Sequence, residues 1–479
     1  MGIASQSNII RILSGYNQWW HLRSVQKQFL KPTQRTVYAE ILKLLDDDKI
    51  RVIHLVGPHR TGKTALIHQV IQNLIDSDVD PKQIIHMNFG HPFFSFLPPF
   101  DIYKTYRESI CPNVSKRTFC FCDDIQLSPE WQKNVEEMTS AFSEITVILT
   151  SSIRPENVGE NQRLLNMPPI SFYEYCQIAT GSEKVVDKSI LPGGGILNAS
   201  TNDLKRIANT IAQYRHFFRH YMYTGGFLNL VGETDDIRIQ RMIQRTVVGD
   251  ALLRDISICF SIRNTIDLEK IFLYLCLECP RVISYEALMR EIDCVTRPTI
   301  EKYIKYLRSA CLVYQCMPQE NEGERIQKMQ PKLYLADASI HNSLLMLNDI
   351  RINEGEGNME KIVETAVYRH LRFYGPDSEE GQISYNRTRT SGKNLDMILN
   401  GRKKIHVDVR FDSNMRLSKK DAIISKAGKA DICLVITKDE NMFGYVPNLP
   451  RNIFFIPADV FLFMIGQAKS DNHSFLDGI

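Results

Sequence analysis

The 479-residue chain has little net charge, because 58 Lys and Arg against 55 Asp and Glu leave +3 with His neutral. So small a balance excludes a uniformly basic or acidic protein, though a local basic patch would be diluted in it. Long apolar runs are also missing. The longest late stretch, NIFFIPADVFLFMI, is broken by Pro457 and Asp459, whereas a bilayer span takes about 20 predominantly apolar residues. No membrane partner is therefore expected. No secretory signal opens the chain, and Gln6 stands where a myristoylation pattern has Ser or Thr, so a cytoplasmic or nucleoid-associated location is expected. A disulfide framework is absent too: the 11 cysteines are scattered, several inside apolar runs (Cys120, Cys122, Cys276, Cys433), as suits reduced thiols. Cys276 and Cys279 form a CxxC without a second pair at finger spacing, so they read as core thiols rather than zinc ligands. Neither an internal repeat nor a low-complexity tract is visible. What remains is ordinary globular material, 43% apolar and 24% charged, long enough for about two to four domains.

The most specific stretch is RVIHLVGPHRTGKTALIHQVI, Arg51 to Ile71. Val52–Val56 reads as a buried strand, and the run after Thr64 has helical spacing. Between them Gly57, Pro58, His59, Arg60, Thr61, Gly62, Lys63 and Thr64 fit GxxxxGK[ST], with Ala65 opening the helix. Backbone N–H groups of such a loop wrap a β-phosphate, and its glycines permit the tight path. Lys63 neutralises β/γ charge, Thr64 offers a hydroxyl to Mg2+, and the helix points its positive end at the phosphates. ATP and Mg2+ are the expected cofactors. A phosphate loop needs an acid on a neighbouring strand, and Thr118-Phe-Cys-Phe-Cys-Asp123-Asp124 supplies two. Asp123 is assigned to the metal and Asp124 to polarising the attacking water. A further strand, Ile145–Leu149, exits through Thr150-Ser151-Ser152, and Thr150 is a candidate to sense the γ-phosphate.

The order GPHRTGKT, CDDIQ, Trp131, LTSS and PPISFYEY resembles the AAA-type ATPases that carry a DUF4143 C-terminal region. Pro169-Ile-Ser171-Phe172-Tyr-Glu174, Tyr221-Met-Tyr-Thr-Gly225-Gly226-Phe227 and Arg254-Asp255 match further motifs of that family. The resemblance implies ATP hydrolysis in a homo-oligomer, expected as a hexamer. It also implies an arginine that reaches a neighbouring subunit's γ-phosphate; Arg163 is the nearest match and Arg154 a second candidate. The family's second acid is glutamate, whereas Asp124 is shorter by one methylene, so slow hydrolysis is expected.

The expected organisation is α/β: an N-terminal extension (1–30), a P-loop AAA-type ATPase core (31–180), a helical lid (181–265), a winged helix-turn-helix (266–345) and a restriction-endonuclease-like α/β domain (346–479). The winged helix rests on helices at LEKIFLYLCLEC, SYEALMREI and TIEKYIKYLRSA followed by two strands. In the third helix Lys302 and Lys305 share a face, with Arg297 at its start, and are candidate DNA contacts; the alternative is a protein-contact module. The tail resembles the nuclease-like fold through Glu360 or Glu364, Tyr385-Asn-Arg387, Asp396 in KNLDMILN, and Asp408 with Arg410 in HVDVR. Arg410 stands in the place of a catalytic lysine, and a guanidinium does not freely replace an ammonium; Asn394 replaces a glutamate. This domain is expected to be inactive in cutting. The function expected is an ATP-driven motor that translocates on, unwinds or remodels DNA. The alternatives are an ATP-controlled assembly switch in signalling or defence, and an ATP-gated nuclease.

Overall fold

The structure is a computed structural model that describes residues 5–31, 33–113, 116–182, 185, 195–262, 264–292, 296–319, 330–345, 356–375, 382–386, 394–413 and 415–471. It divides into two compact units. The first comprises Met1–Pro168, Asp250–Arg263 and Ser309–Cys311; the second comprises Pro169–Gly249, Asn264–Arg308 and Leu312–Ile479.

The first unit is built on five parallel strands: β1 (Val52–Val56), β2 (Ile84–Asn88), β3 (Thr118–Asp123), β4 (Ile145–Ser151) and β5 (Gln162–Asn166). Their order is β2-β3-β4-β1-β5. Every residue of β1, β3 and β4 is buried, which explains the continuous apolar runs in place of alternation. The helices Lys63–Asp76, Pro99–Ser109 and Trp131–Ala141 connect the strands. Because β4 lies between β1 and β3, the carboxyl ends of all three open on one crevice, where open α/β sheets bind ligands. Strand β2 is an edge, and the N-terminal segment covers it. The indoles of Trp19 and Trp20 both donate to Ile84 O, at 3.2 and 2.8 Å, and Asn17 Nδ2 donates to His86 O at 2.9 Å. Both indoles are buried, so Trp19 and Trp20 cap this core and satisfy an otherwise unpaired strand edge.

The second unit carries one nine-stranded sheet, formed by β6 (Arg281–Val282), β7 (Val313–Pro318), β8 (Lys332–Leu335), β9 (Ile383–Asn386), β10 (Leu395–Asn400), β11 (Lys404–Arg410), β12 (Ile432–Thr437), β13 (Gly444–Tyr445) and β14 (Ile453–Pro457). The order is β13-β14-β12-β11-β10-β9-β7-β8-β6. The helices Ile266–Glu278, Tyr285–Glu291 and Arg297–Ser309 precede β7. Ser284 caps the second of these, its hydroxyl accepting from Ala287 N at 3.2 Å. Strands β6, β8 and β7 pair antiparallel, and β7 continues parallel to β9 through Met317–Ser384 and Pro318–Tyr385. The expected domain limit at 345/346 thus falls between strands that are neighbours in one sheet. Cys276 and Cys279 are buried, and burial pushes both thiols up, as core cysteines require.

Motifs outside the phosphate loop meet inside this unit. Arg369 on the helix Glu356–Tyr374 is fully buried and pairs with Asp337. It also donates to Ile170 O at 3.2 Å and to the Tyr221 hydroxyl. Gly226 N donates to Asp337 Oδ2 at 3.0 Å. A Cβ on Gly225 would lie 2.1 Å from Asp337 Oδ1, and one on Gly226 would lie 2.6 Å from Ile170 O. Ser171 and Glu174 form a capping box on Phe172–Thr180, and Tyr374 OH donates to Glu174 at 2.9 Å. The PPISFYEY and YMYTGGF segments are therefore scaffold around a buried ion pair.

Candidate functional site

The phosphate loop leaves β1 at Gly57, whose N–H donates to Ser151 O at 3.2 Å. A Cβ there would fall 2.0 Å from Met167 O, so only glycine fits. Arg60 and Gly62 take positive φ of 66° and 95°, which turns successive N–H groups toward one concavity. Arg35 braces the loop from outside, donating to Thr61 O and, at 2.9 Å, to Pro168 O. Lys63 is buried, and its ammonium donates to the Gly57 and Pro58 carbonyls, both at 2.8 Å. Burial lowers its pKa, opposed by the charges of Asp124 and Asp123.

The two acids lie where the loop can use them. Thr64 Oγ1 donates to Asp123 Oδ2 at 2.8 Å, and Thr150 Oγ1 donates to Asp123 Oδ1. Burial pushes the Asp123 carboxyl up, but His86, whose Nε2 is 3.9 Å away, and the two hydroxyls hold it at about 2. His68, on the loop helix, is lowered to about 4 by burial and by His86. Asp124 adopts φ +52°, and its N–H donates to Thr150 Oγ1 at 2.9 Å. Burial and the neighbouring Asp123 raise its carboxyl pKa. One crevice therefore holds a depressed carboxylate beside a hydroxyl and a raised one beside it. Thr64 and Asp123 are hard oxygen donors of the kind Mg2+ takes few of, and the loop amides suit phosphate, so the residues present fit Mg2+ and a nucleotide.

Asp255 completes this crevice, and the sequence had marked it only as half of a motif. It is fully buried. His59 Nε2 lies 2.6 Å from its Oδ2, Gln126 Nε2 donates to the same oxygen at 3.2 Å, and Ser152 Oγ donates there too. Arg254 Nε donates to Oδ1 at 2.8 Å. Although burial raises the carboxyl, these donors hold it at about 2. Asp255 thus ties the phosphate loop, Gln126 and the exit of β4 to the part of the π-helical segment Ile243–Ile256 that belongs to the first unit, from Asp250 on. A charged residue inside the apolar run VVGDALLRDI was the available signal.

Other sequence-marked residues lie elsewhere. Arg163 stands opposite Ile53 in the β5–β1 register, away from the loop, and its guanidinium donates to the Glu160 and Gln162 carbonyls at 2.9 and 2.8 Å. Arg154 lies at the β4 exit, donating to Asn166 Oδ1 at 3.4 Å. On the helix Arg297–Ser309, Arg297 pairs with Glu301 at 3.0 Å and covers the Tyr285 ring, and Lys302 lies over Tyr306; Lys305 lies on the same helix.

In the second unit Glu360, Glu364, Tyr385, Asn394, Asp396, Asp408 and Arg410 line one cavity of about 410 Å³; Arg387 lies outside the described residues. Lys332 lines the same cavity. Its ammonium sits 2.6 Å from Glu364 Oε1 and 3.3 Å from Asp396 Oδ1. Arg410 Nε donates to Asp408 Oδ2 at 2.8 Å. Burial and Asp396 push Glu364 up to about 7 and Asp408 up to about 8, against the pull of Lys332 and Arg410 respectively. Among the described residues no group of three or more His, Cys, Asp and Glu side chains is placed to hold a metal ion, and no helix is long and apolar enough to cross a membrane.

Comparison with known proteins bears on the first of these sites. Residues 49–176, the segment that carries the loop, the acid pair and Thr150, match the AAA domain. This segment is therefore similar to AAA-type ATPase domains. Residues 215–351 match a domain of unknown function, DUF8612. The expected DUF4143 region is not shown; the description found over these residues is DUF8612. The chain is similar to an uncharacterized protein of Haemophilus influenzae, 21% identical over 380 residues, covering 78% of this chain and 85% of the relative. Among solved structures it is similar to the Walker-type ATPase paby2304 of Pyrococcus abyssi, at 10% identity and TM-score 0.39 over 64% of this chain and 94% of the other. It is also similar to Drosophila ORC bound to DNA, at 14% identity and TM-score 0.21 over 70% and 91%.

Proposed function

We propose that the AAA domain binds Mg2+–ATP and hydrolyses it, and that the chain works as an oligomeric motor on DNA. The observation that carries the hydrolysis is the 2.8 Å contact from Thr64 Oγ1 to Asp123 Oδ2, which joins the phosphate loop to the acid pair. Mg2+ would be held by Thr64 and Asp123 and would supply charge neutralisation between the β- and γ-phosphates. Lys63 exchanges its two loop carbonyls for phosphate oxygens. Asp124, whose raised pKa makes it the better proton acceptor of the pair, orients and deprotonates the water. Thr150 holds both acids in register, since its hydroxyl touches Asp123 and the Asp124 N–H. An arginine in trans from a neighbouring copy, Arg154 or Arg163, would complete a ring of subunits.

The DNA part is supported by the order helix, β6, helix, helix, β7, β8 in 266–335, which is that of a winged helix. A second reading, an ATP-controlled assembly switch, is favoured by one observation: Arg297 is already engaged by Glu301 and Tyr285, as in a module that contacts protein. ATP turnover measured with and without forked duplex DNA separates the two. The motor reading expects stimulation by DNA; binding of ATP with no stimulation would favour the switch. Lys63→Ala should lower turnover by roughly a hundredfold or more, and full turnover in that variant would refute the site.

A further inference from the structure

A row of arginines in the second unit has no place in the site above. The helix Asp236–Met242 runs into the π-helical segment that begins at Ile243. Ile239 and Ile243 are each 1% exposed and face the core. Arg238, Arg241 and Arg245 fall on the opposite, exposed side, at spacings of three and four residues. With Asp235, Ile237, Met242 and Thr246 they line a hollow of about 430 Å³. Two of the acids nearby, Asp235 and Glu233, are committed, while Asp236 lies exposed in the first turn of the helix. Asp235 Oδ1 accepts from Ile237 N and Arg238 N at 3.0 and 3.1 Å, capping the helix, and Glu233 pairs with Arg238 at 3.0 Å. Among the described residues no hydrogen bond or ion pair engages Arg241 or Arg245.

We infer that this row is a nucleic-acid backbone site in which Arg241 and Arg245, with Arg238 at one end, grip consecutive phosphates while Ile237 and Met242 lie against the sugars. The inference rests on the reading that the chain acts on DNA, and it moves the phosphate contacts from the helix Arg297–Ser309 to the row Arg238, Arg241 and Arg245. Three physical points carry it. A guanidinium presents a planar fork that bonds two phosphate oxygens at once, and this row contains no lysine. At about 1.5 Å per residue, the seven residue steps from Arg238 to Arg245 span roughly 10 Å, about three nucleotide steps at 3.4 Å along one strand. Ile237, 59% exposed, gives an apolar floor of the small extent a sugar covers.

The test uses the full chain and a fluorescein-labelled forked duplex, with anisotropy read between about 50 and 200 mM salt. Arg241→Gln with Arg245→Gln lies on the surface, and an unchanged thermal midpoint checks that it folds. The expected result is affinity lower by roughly tenfold per arginine at the lowest salt. The slope of log K against log salt should flatten by about 1.8, since each lost phosphate contact contributes about 0.9. Arg241→Lys with Arg245→Lys should keep the slope and lose part of the affinity, because charge remains and the fork does not. An unchanged slope in the glutamine variant overturns the site. If Lys302→Gln with Lys305→Gln flattens the slope while the arginine variant does not, action on DNA stands and this row falls. If the wild-type chain binds no DNA at any salt, both fall. Loss of polyglutamate or anionic-vesicle binding in the arginine variant, with DNA binding intact, also overturns it.

Discussion

Replacing Asp255 tests the construction of the nucleotide crevice from the side opposite the phosphates. Its two oxygens accept from His59, Gln126, Ser152 and Arg254 with no solvent exposure. In Asp255→Asn an amide nitrogen must face either Arg254 or the other three donors, so at least one buried donor loses its acceptor. Each such loss destabilises by about 1–3 kcal/mol, and Asp255→Ala, which strands all four, by about 3–5 kcal/mol. The charge adds a pH signature. A carboxyl held at about 2 against an ordinary 3.8 is favoured in the folded state. The difference of about 1.8 units corresponds to about 2 kcal/mol of stability. Because the folded pKa is the lower one, that stability is fully present above pH 4 and is lost as pH falls through 4 toward 2. The assay is convenient, because the three tryptophans, Trp19, Trp20 and Trp131, all lie in the first unit, and their fluorescence reports its unfolding by urea. The wild-type chain should weaken from pH 5 to pH 3, and Asp255→Asn should weaken less across the same range while starting lower. A fluorescent ATP analogue should also bind the variant less tightly, since His59 and Arg254 lose their shared anchor. Equal stability of variant and wild type at pH 7, with the same fall toward pH 3, would refute the reasoning.

Asp124→Glu restores the missing methylene and should raise ATP turnover several-fold in a steady-state phosphate-release assay; slower turnover would show that Asp124 does not hold the water. Asp408→Asn should stabilise the second unit relative to wild type more at pH 8.5 than at pH 5, as read by calorimetry. The wild-type carboxyl is raised to about 8, so the folded state keeps a proton that the unfolded chain gives up above pH 4, and stability declines as pH climbs through that window. Arg369→Met should destabilise the second unit by about 3–5 kcal/mol by leaving Asp337 buried and unpaired, and Arg369→Met with Asp337→Leu should recover part of the loss; amide exchange at 169–174 and 221–227 would report both.

Local features were legible in the sequence, and distant pairings were not. Val52–Val56, the loop and the helix after it were readable because an apolar run, two glycines and helical spacing all fall within about twenty residues. The acid pair was readable because five strand-forming residues lead directly into it. By contrast, His59 and Asp255 stand 196 residues apart, and nothing in either neighbourhood names the other. Lys332 and Glu364 have the same difficulty: KLYL reads as a strand, but its local pattern does not say that the ammonium turns into the acidic cavity, which follows from β8 and β10 belonging to one sheet. The GGF segment was recognisable as a motif, but a motif carries no direction. Only the packing of Gly225 and Gly226 against Asp337 and Ile170 shows that those glycines make room for a buried ion pair rather than for a ligand.

The two carboxylate clusters differ in a way that bears on their work. In the first unit Asp123 and Asp255 are held at about 2, so both are ionised at every physiological pH and can serve as fixed negative points for a metal and for a positioned histidine and arginine. In the second unit Glu364 and Asp408 keep protons to about pH 7 and 8, and the ammonium of Lys332 already lies between Glu364 and Asp396. A divalent cation entering that cavity would have to displace the ammonium and release the protons. The affinity of such a site therefore falls steeply below about pH 8, since metal binding and protonation compete for the same oxygens. The same constellation of acids and cations suits a neutral, self-satisfied cavity better than an ionised one. That contrast supports the proposal that ATP chemistry belongs to the segment matching the AAA domain, and that the C-terminal sheet serves in binding or assembly.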